Sequence, residues 1–283
     1  MIRLLTDSTS DLSPELRERC SATVLPLITI LGEEEHTDGV DITPEELYAW
    51  SDRTHQSPKT AVFSVQQAKD CFRSLLGDGD ELICFAISEK MSASASVMRL
   101  AAQQIHAEDR IHVVDSENLS TGIGLLILAA SEFLAQGLSA AETVARVEAL
   151  RPLVRASFVV DTLTYLHRGG RCSGVVALAG NALRLHPQIV VQDGAMHPDR
   201  KYRGSIRHAL TQYMTDLIPE MKSARPDRVF ITHSGCPDEI VQAVYEKVQS
   251  LNHFREIHIT RAGGVISSHC GPNTLGVLFI DRG

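Results

Sequence analysis

Short apolar runs alternate with amphipathic helical patterns along most of the chain. This alternation is typical of an α/β fold with a largely parallel sheet. The apolar runs predict strands at Ile2–Thr6, Val24–Leu31, Leu82–Ile87, Ile111–Val114, Ala156–Val160, Ile189–Gln192, Arg228–Thr232, Ile257–Thr260 and Leu275–Ile280. Apolar positions at helical spacing predict helices at Thr43–Ser51, Ser64–Leu76, Ser92–Ile105, Leu119–Gln136, Ala140–Leu150, Ser205–Leu217 and Pro237–Gln249.

The regularity of this pattern changes near Arg151-Pro152. Before that point strands and helices alternate evenly. After it the spacing is less even, and Gly-rich turns occur at Gly169-Gly170, Gly194 and Gly263-Gly264. We therefore expect two domains, an N-terminal α/β domain of residues 1–152 and a C-terminal α/β domain of residues 153–283.

The charge of the chain narrows the range of partners. Its formal charge is −8, with no basic stripe of the kind that neutralises many phosphates, which disfavours nucleic acid as a partner. Aromatic residues make up only 5% of the sequence, so the core must be mainly aliphatic.

Cysteines and apolar segments indicate the compartment. The six cysteines form no C-x-x-C pair, and a disulfide framework is unusual in a chain of this size, so reduced thiols are the simpler interpretation. The N-terminus turns polar after five residues, and the longest apolar stretch, Ile123 to Ala130, is too short to span a bilayer. We expect a cytoplasmic protein.

Polar segments that follow strands or precede helices are the first candidates for a site. They are residues 6–12 (TDSTSDL), 57–64 (SPKTAVFS) and 88–96 (SEKMSASAS). The carboxyl ends of strands border the ligand crevice in doubly wound folds. Hydroxyls and free N–H groups at helix starts also suit an anion. For each segment taken alone, simple helix capping is the more common explanation.

Two glycine-containing segments carry further candidates. In residues 163–173 (LTYLHRGGRCS), the paired glycines present Arg171, whose guanidinium can bind a carboxylate bidentately. The alternative is a helix C-cap at Gly169 with solvated arginines. In residues 263–273 (GGVISSHCGPN), His269 follows an apolar run that is predicted as a strand. At that position its side chain either contacts an anion or has a purely structural role.

Several kinds of catalytic motif are missing from the sequence. No His/Cys set has zinc-site spacing, so we expect no metal. There is no G-x-S-x-G elbow, no Walker A loop and no G-x-G-x-x-G after the first strand. We expect no catalytic residues in this chain.

Taken in order, these segments resemble the DegV family of bacterial fatty-acid-binding proteins, which includes the lipid-carrying subunit of bacterial fatty acid kinase. The resemblance runs nearly end to end. It includes TDSTSDL at residues 6–12, VDS at 114–116, GIG at 122–124, YLHRGGR at 165–171, PQI at 187–189, KYRG at 201–204 and HCGPN at 269–273.

The resemblance implies a Rossmann-like N-terminal domain and a smaller α/β C-terminal domain, with one long-chain fatty acid between them and no other cofactor. It implies that Thr60, Ser92, Arg171 and His269 bind the carboxylate. It also implies a fatty acid kinase catalytic subunit as partner and transient contact with a membrane surface. Lys201, Arg203 and Arg207 form a basic cluster at the start of a predicted helix, and we expect this cluster to dock the kinase.

Two segments depart from the family pattern. TAVFS at residues 60–64 replaces the usual T-S-Q-P-S, and SASA at residues 92–95 replaces S-G-T-Y. The first hydroxyl of each motif is kept, but tail specificity is left open. Two alternative functions also remain: a lipid sensor without a kinase, and a hydrolase or acyltransferase that uses Ser92 or Ser8 with His269.

Overall fold

The computed structural model describes residues 1–172 and 185–283, so Ser173 of the LTYLHRGGRCS segment lies outside them. The strands are β1 (Ile2–Asp7), β2 (Ala22–Leu25), β3 (Ile28–Leu31), β4 (Glu34–Thr37), β5 (Lys59–Ala61), β6 (Glu81–Ala86), β7 (Ile111–Asp115), β8 (Val154–Val159), β9 (Leu185–Gln192), β10 (Ala195–Arg203), β11 (Ala224–His233), β12 (Glu256–Arg261) and β13 (Leu275–Asp281). The helices are α1 (Pro14–Arg19), α2 (Pro44–Thr54), α3 (Val65–Leu75), α4 (Ser94–Gln104), α5 (Thr121–Ala135), α6 (Ala140–Leu150), α7 (Thr164–Gly169), α8 (Ile206–Ser223), α9 (Asp238–Gln249) and α10 (Gly264–Cys270).

These strands form three sheets. Residues 1–152 contain a parallel sheet in the order β2-β1-β6-β7 and a small antiparallel sheet in the order β4-β3-β5. Residues 153–283 contain a sheet in the order β10-β9-β8-β13-β11-β12, in which β11 and β12 pair in parallel and the other pairs are antiparallel. The predicted α/β class is therefore confirmed, with the parallel arrangement concentrated in the N-terminal half.

Helix α5 is the centre of the molecule. It packs on β1 and β6 of the parallel sheet and also on β8 and β13 of the C-terminal sheet. Its first ten residues, 121–130, are all buried. A helix that is apolar on every face must be covered on every face, and this position between two sheets explains why its sequence is so uniformly apolar.

Ion pairs also join the two halves. The guanidinium of Arg19 on α1 holds the carboxylate of Glu256 on β12 through two N···O contacts of 3.0 Å. Arg228 on β11, only 8% exposed, pairs with Glu132 on α5. The hydrogen bonds from Arg19 lower the pKa of Glu256 to about 2, so this connection is fully charged near neutral pH.

The predicted strand Val24–Leu31 was wrong as a single element. The chain forms β2 in the parallel sheet, turns at Pro26 and Leu27, and then forms β3 in the small antiparallel sheet. Pro26 has no N–H to donate, and the N–H of Leu27 donates to Ser8 Oγ at 3.1 Å rather than to a strand. The small sheet that results carries Thr60 on β5.

Helix capping explains part of the polar sequence. Thr43 and Glu46 form a capping box at α2, and Ser64 and Gln67 form another at α3. Ser205 caps α8 by accepting from the N–H of His208. These residues therefore fix where helices begin, as their spacing predicts.

Candidate functional site

A cavity of about 210 Å³ lies between the two halves of the chain. Its walls come mainly from β5 and the segment that follows β6 in the N-terminal half, and from β10, α10 and the residues after α7 in the C-terminal half. The described residues that line it are Leu27, Thr60, Ala61, Val62, Ile87, Met91, Ser92, Ala93, Leu119, Arg171, Met196, Val265, Ile266, His269 and Cys270.

The fold places this cavity at the carboxyl ends of β1 and β6. Asp7 ends β1, and its Oδ2 accepts the N–H of Ile87, the residue after β6, at 2.9 Å. Crevices at the carboxyl ends of parallel strands are the usual ligand sites of doubly wound sheets. Within the polar segment at residues 6–12, the side chain of Asp7 therefore positions Ile87, which lines the cavity.

The polar end of the cavity is organised around His269. Its Nε2 lies 2.9 Å from Thr60 Oγ1, while its Nδ1 is buried and has no hydrogen-bond partner among the described residues. Burial and, secondarily, the positive charge of Arg171 lower the pKa of His269 to about 4. The imidazole is therefore neutral near pH 7 and offers a polar contact without a charge.

Arg171 supplies the positive charge at this end of the cavity. Its side chain is exposed at the cavity wall, where one terminal nitrogen donates to Gly169 O at 2.7 Å and Nε donates to Met91 O at 3.5 Å. These two carbonyls fix the guanidinium from both halves of the chain. The remaining donors have no hydrogen-bond partner among residues 1–172 and 185–283 and can meet an anion.

Ser92 lies on the same wall, immediately before α4. Its Oγ is 3.0 Å from Ser94 Oγ and accepts the N–H of Ser94 at 3.3 Å. Thr60, Ser92, Arg171 and His269, which are far apart in the sequence, thus line one cavity. Two hydroxyls, one guanidinium and one neutral imidazole form a set of donors for a single small anion.

A model of the DegV family, described as an uncharacterised protein family, matches residues 1–282. The chain belongs to the DegV family. A DegV domain-containing protein of Deinococcus radiodurans is 30% identical over 278 residues, which cover 98% of this chain and 97% of that protein.

Solved structures of DegV proteins are similar over the whole chain. A fatty-acid-binding DegV family protein from Thermus thermophilus is 31% identical, with a TM-score of 0.91 and 99% of each chain covered. A stearic-acid-binding protein from Eubacterium ventriosum is 29% identical, with a TM-score of 0.86, covering 100% of this chain and 99% of that one. The predicted family and the predicted α/β fold are therefore confirmed.

The two glycine-containing segments of this DegV protein interlock. An added Cβ on Gly169 would lie 2.4 Å from His269 Nδ1, and one on Gly271 would lie 2.5 Å from the ring of Tyr165. Gly169 of the first segment therefore makes room for His269 of the second, and Gly271 of the second makes room for Tyr165 of the first. The predicted strand before His269 was wrong: residues 264–270 form α10, which packs against α7, β3 and β5.

Two buried carboxylates of the N-terminal half hold the start of α10. Asp11 Oδ1 accepts the N–H of Gly263 at 2.8 Å, and Asp38 Oδ1 accepts the N–H of Val265 at 3.2 Å. Burial raises the pKa of Asp11 to about 8, and it raises the pKa of Asp38 in the same direction. These positioning residues were not identified from the sequence, although the polar segment at residues 6–12 contains Asp11.

The basic cluster of this DegV protein differs from its predicted form. Arg203 ends β10, Gly204 turns the chain with a φ of +110°, and α8 begins only at Ile206. Only Arg207 of this cluster therefore lies on the helix. Lys201 and Arg203 are exposed on the strand, whereas Arg207 pairs with Glu239 at 2.5 Å.

The site shows no hydrolase arrangement among residues 1–172 and 185–283. The hydroxyl next to His269 belongs to Thr60, whereas Ser92 contacts Ser94 and Ser8 accepts the N–H of Leu27. Within the same residues, no cluster of side chains could hold a metal ion, and no helix has both the length and the apolar character that a membrane span needs.

Proposed function

We propose that this protein binds one long-chain fatty acid in the cavity between its halves and presents the carboxylate to a partner kinase in the cytoplasm. The observation that carries the proposal is the distribution of polarity in the cavity. Thr60, Ser92, Arg171 and His269 supply the polar wall, and aliphatic side chains supply most of the rest. The fatty-acid-binding relatives named above support the same ligand class.

Physical chemistry favours such a ligand. Burying each methylene stabilises the complex by ~0.8 kcal/mol, so a sixteen-carbon tail contributes roughly 10 kcal/mol before the costs of association. A carboxylate buried without partners would cancel much of this gain. In our proposal Arg171 balances its charge, while the hydroxyls of Thr60 and Ser92 and the neutral ring of His269 complete its hydrogen bonds.

The exposed position of Arg171 supports a role in presentation. A carboxylate held beside Arg171 would lie at the polar end of the cavity, within reach of a phosphoryl donor. Arg171 would then stabilise the negative charge shared by the carboxylate and the incoming phosphoryl group. We therefore expect Arg171→Ala and His269→Ala to impair acyl-phosphate formation more than lipid loading.

Lys201 and Arg203 are the residues that we propose for docking the kinase, with Arg207 beside them. Both side chains are exposed, and exposed interface charges mainly set the association rate and its salt dependence. Arg207 is the weaker candidate because Glu239 already pairs with it.

Reconstitution with a bacterial fatty acid kinase catalytic subunit tests this proposal. We expect the loaded protein to support acyl-phosphate formation, trapped as the hydroxamate. Arg203→Glu should slow the reaction and flatten its salt response, with lipid affinity unchanged, while the control Arg73→Glu on α3 should behave as wild type. Normal coupling by Arg203→Glu at low salt would place docking elsewhere. Lipid binding without coupling to any kinase would favour the lipid sensor.

A further inference from the structure

The cavity beside His269 is smaller than the pockets that usually bury a whole ligand of this size. Its volume is about 210 Å³, whereas pockets that bury drug-sized ligands hold ~300–1,000 Å³. A second chamber of about 30 Å³ lies next to it. The two chambers share three wall residues, Leu119, Ile266 and Cys270, so these side chains form the boundary between the outer and the inner chamber.

The inner chamber presents a mainly apolar wall to a ligand, although several of its residues carry hydroxyls. Each of those hydroxyls has a protein partner. Ser120 donates to Asp11 Oδ2 at 2.5 Å, and Ser234 donates to Gly271 O at 2.5 Å. Two threonines are paired as well: Thr274 donates to Cys270 O at 2.9 Å, and Thr232 contacts the hydroxyls of Thr121 and Thr260 at 2.6 and 2.9 Å. With these four hydroxyls satisfied, most of the chamber wall is apolar and suits an alkyl chain.

One wall of the inner chamber is a patch of the C-terminal sheet. Phe158 on β8 lies opposite Gly276 on β13, and Leu278 lies two residues further along β13 on the same face. An added Cβ on Gly276 would come within 2.9 Å of Phe158 Cβ. Because Gly276 has no side chain, space remains beside it, and Phe158 fills part of this space. Neither Phe158 nor Leu278 lines the outer chamber.

We propose that Ile266 and Phe158 determine which tail length this protein binds. The tail passes Ile266, and its end occupies the inner chamber, where Phe158 limits the space. This inference rests on the proposed function, because it assumes a fatty acid whose carboxylate is bound near His269. It extends that function, because it assigns the selection of tail length to two residues that do not contact the carboxylate.

Competition among saturated acids of ten to twenty carbons tests the inference. Phe158→Leu enlarges the inner chamber, so the affinity for octadecanoic relative to hexadecanoic acid should rise by up to about fifteen-fold, because each buried methylene is worth roughly fourfold. Ile266→Phe narrows the passage, so decanoic acid should gain at least about tenfold over hexadecanoic acid. Phe72→Leu is the matched control, because Phe72 is a buried phenylalanine that lines neither chamber.

The outcomes separate the inference from the proposed function. If Phe158→Leu and Ile266→Phe both bind fatty acid with the length preference of wild type and Phe72→Leu, these residues do not determine tail length. If the wild-type protein binds no acid of any length, the proposed function itself fails. Thermal melting identifies a variant that does not fold, and Ile266→Val and Leu278→Val then provide milder changes in the same walls, with shifts towards longer tails expected.

Discussion

Gly169 and His269 are in contact across two helices, so closely that one methyl group on Gly169 would lie 2.4 Å from the imidazole Nδ1. Gly169 ends α7, and His269 lies near the end of α10. Because the opposite nitrogen of the ring lies 2.9 Å from Thr60, any movement of the imidazole away from Gly169 disturbs the polar end of the cavity.

Gly169→Ala should therefore weaken binding of fatty acids by displacing His269. Gly170→Ala is the matched control, because Gly170 has a φ of +66° and no atom within 4 Å of an added Cβ. That substitution costs roughly 1–2 kcal/mol of backbone strain but leaves the imidazole in place. Titration calorimetry with hexadecanoic acid should show reduced affinity for Gly169→Ala alone. A larger loss of affinity in Gly170→Ala would contradict the steric explanation.

Thr60 and Ser92 provide a second test, directed at the carboxylate. Replacing both with Ala should weaken binding of the free acid more than binding of its methyl ester, since each lost hydrogen bond to a charged group costs ~1.5–3 kcal/mol. Ser74→Ala on the surface of α3 is the control. Displacement of a fluorescent fatty acid gives both affinities. Equal losses for acid and ester would show that these hydroxyls do not bind the carboxylate.

The raised pKa of Asp11 should make the free energy of unfolding depend on pH. Burial raises its pKa from 3.8 to about 8, so the folded state retains a proton that the unfolded state has lost. The stability that this proton provides is complete below pH 3.8 and is lost as the pH rises through 8, by up to about 1.4 kcal/mol per pH unit. His269 acts in the opposite direction between pH 6.5 and about 4, because its pKa is lowered.

Asp11→Asn isolates the contribution of Asp11, because the amide can still accept from Gly263 and donate to Ser120. Urea unfolding from pH 4.5 to 8 should show a smaller loss of stability with rising pH in the variant than in wild type. The effect of His269 is common to both proteins and cancels in the difference. If the two stability profiles run parallel, Asp11 is ionised in the folded protein at neutral pH.

Much of the site could be predicted because its residues belong to segments with strong local patterns. The segments that contain Arg171 and His269 were singled out by their glycines and polar residues, the family resemblance gave both side chains a role, and both line the cavity. The positions of helices such as α2 and α3 followed from capping residues such as Thr43 and Ser64. These signals are local, so a single sequence contains them.

Other features depend on contacts between distant residues and had no local signal. An apolar run such as VISS at residues 265–268 fits a strand or a short helix equally well, and α10 forms because Asp11 and Asp38 hold its start. The separation of β2 from β3 at Pro26 depends on the hydroxyl of Ser8. The strand β10, which carries Lys201 and Arg203, was not predicted from the sequence, and it forms by pairing with β9.

The central claim is that the cavity between the two halves binds a long-chain fatty acid. Mass spectrometry of the organic extract from protein purified from bacteria tests it most directly. We expect about one fatty acid of fourteen to eighteen carbons per chain, and less in protein carrying Arg171→Ala together with Thr60→Ala and Ser92→Ala. An extract without fatty acid, from protein whose tryptophan fluorescence and melting temperature do not respond to added fatty acids, would show that the cavity does not bind this ligand.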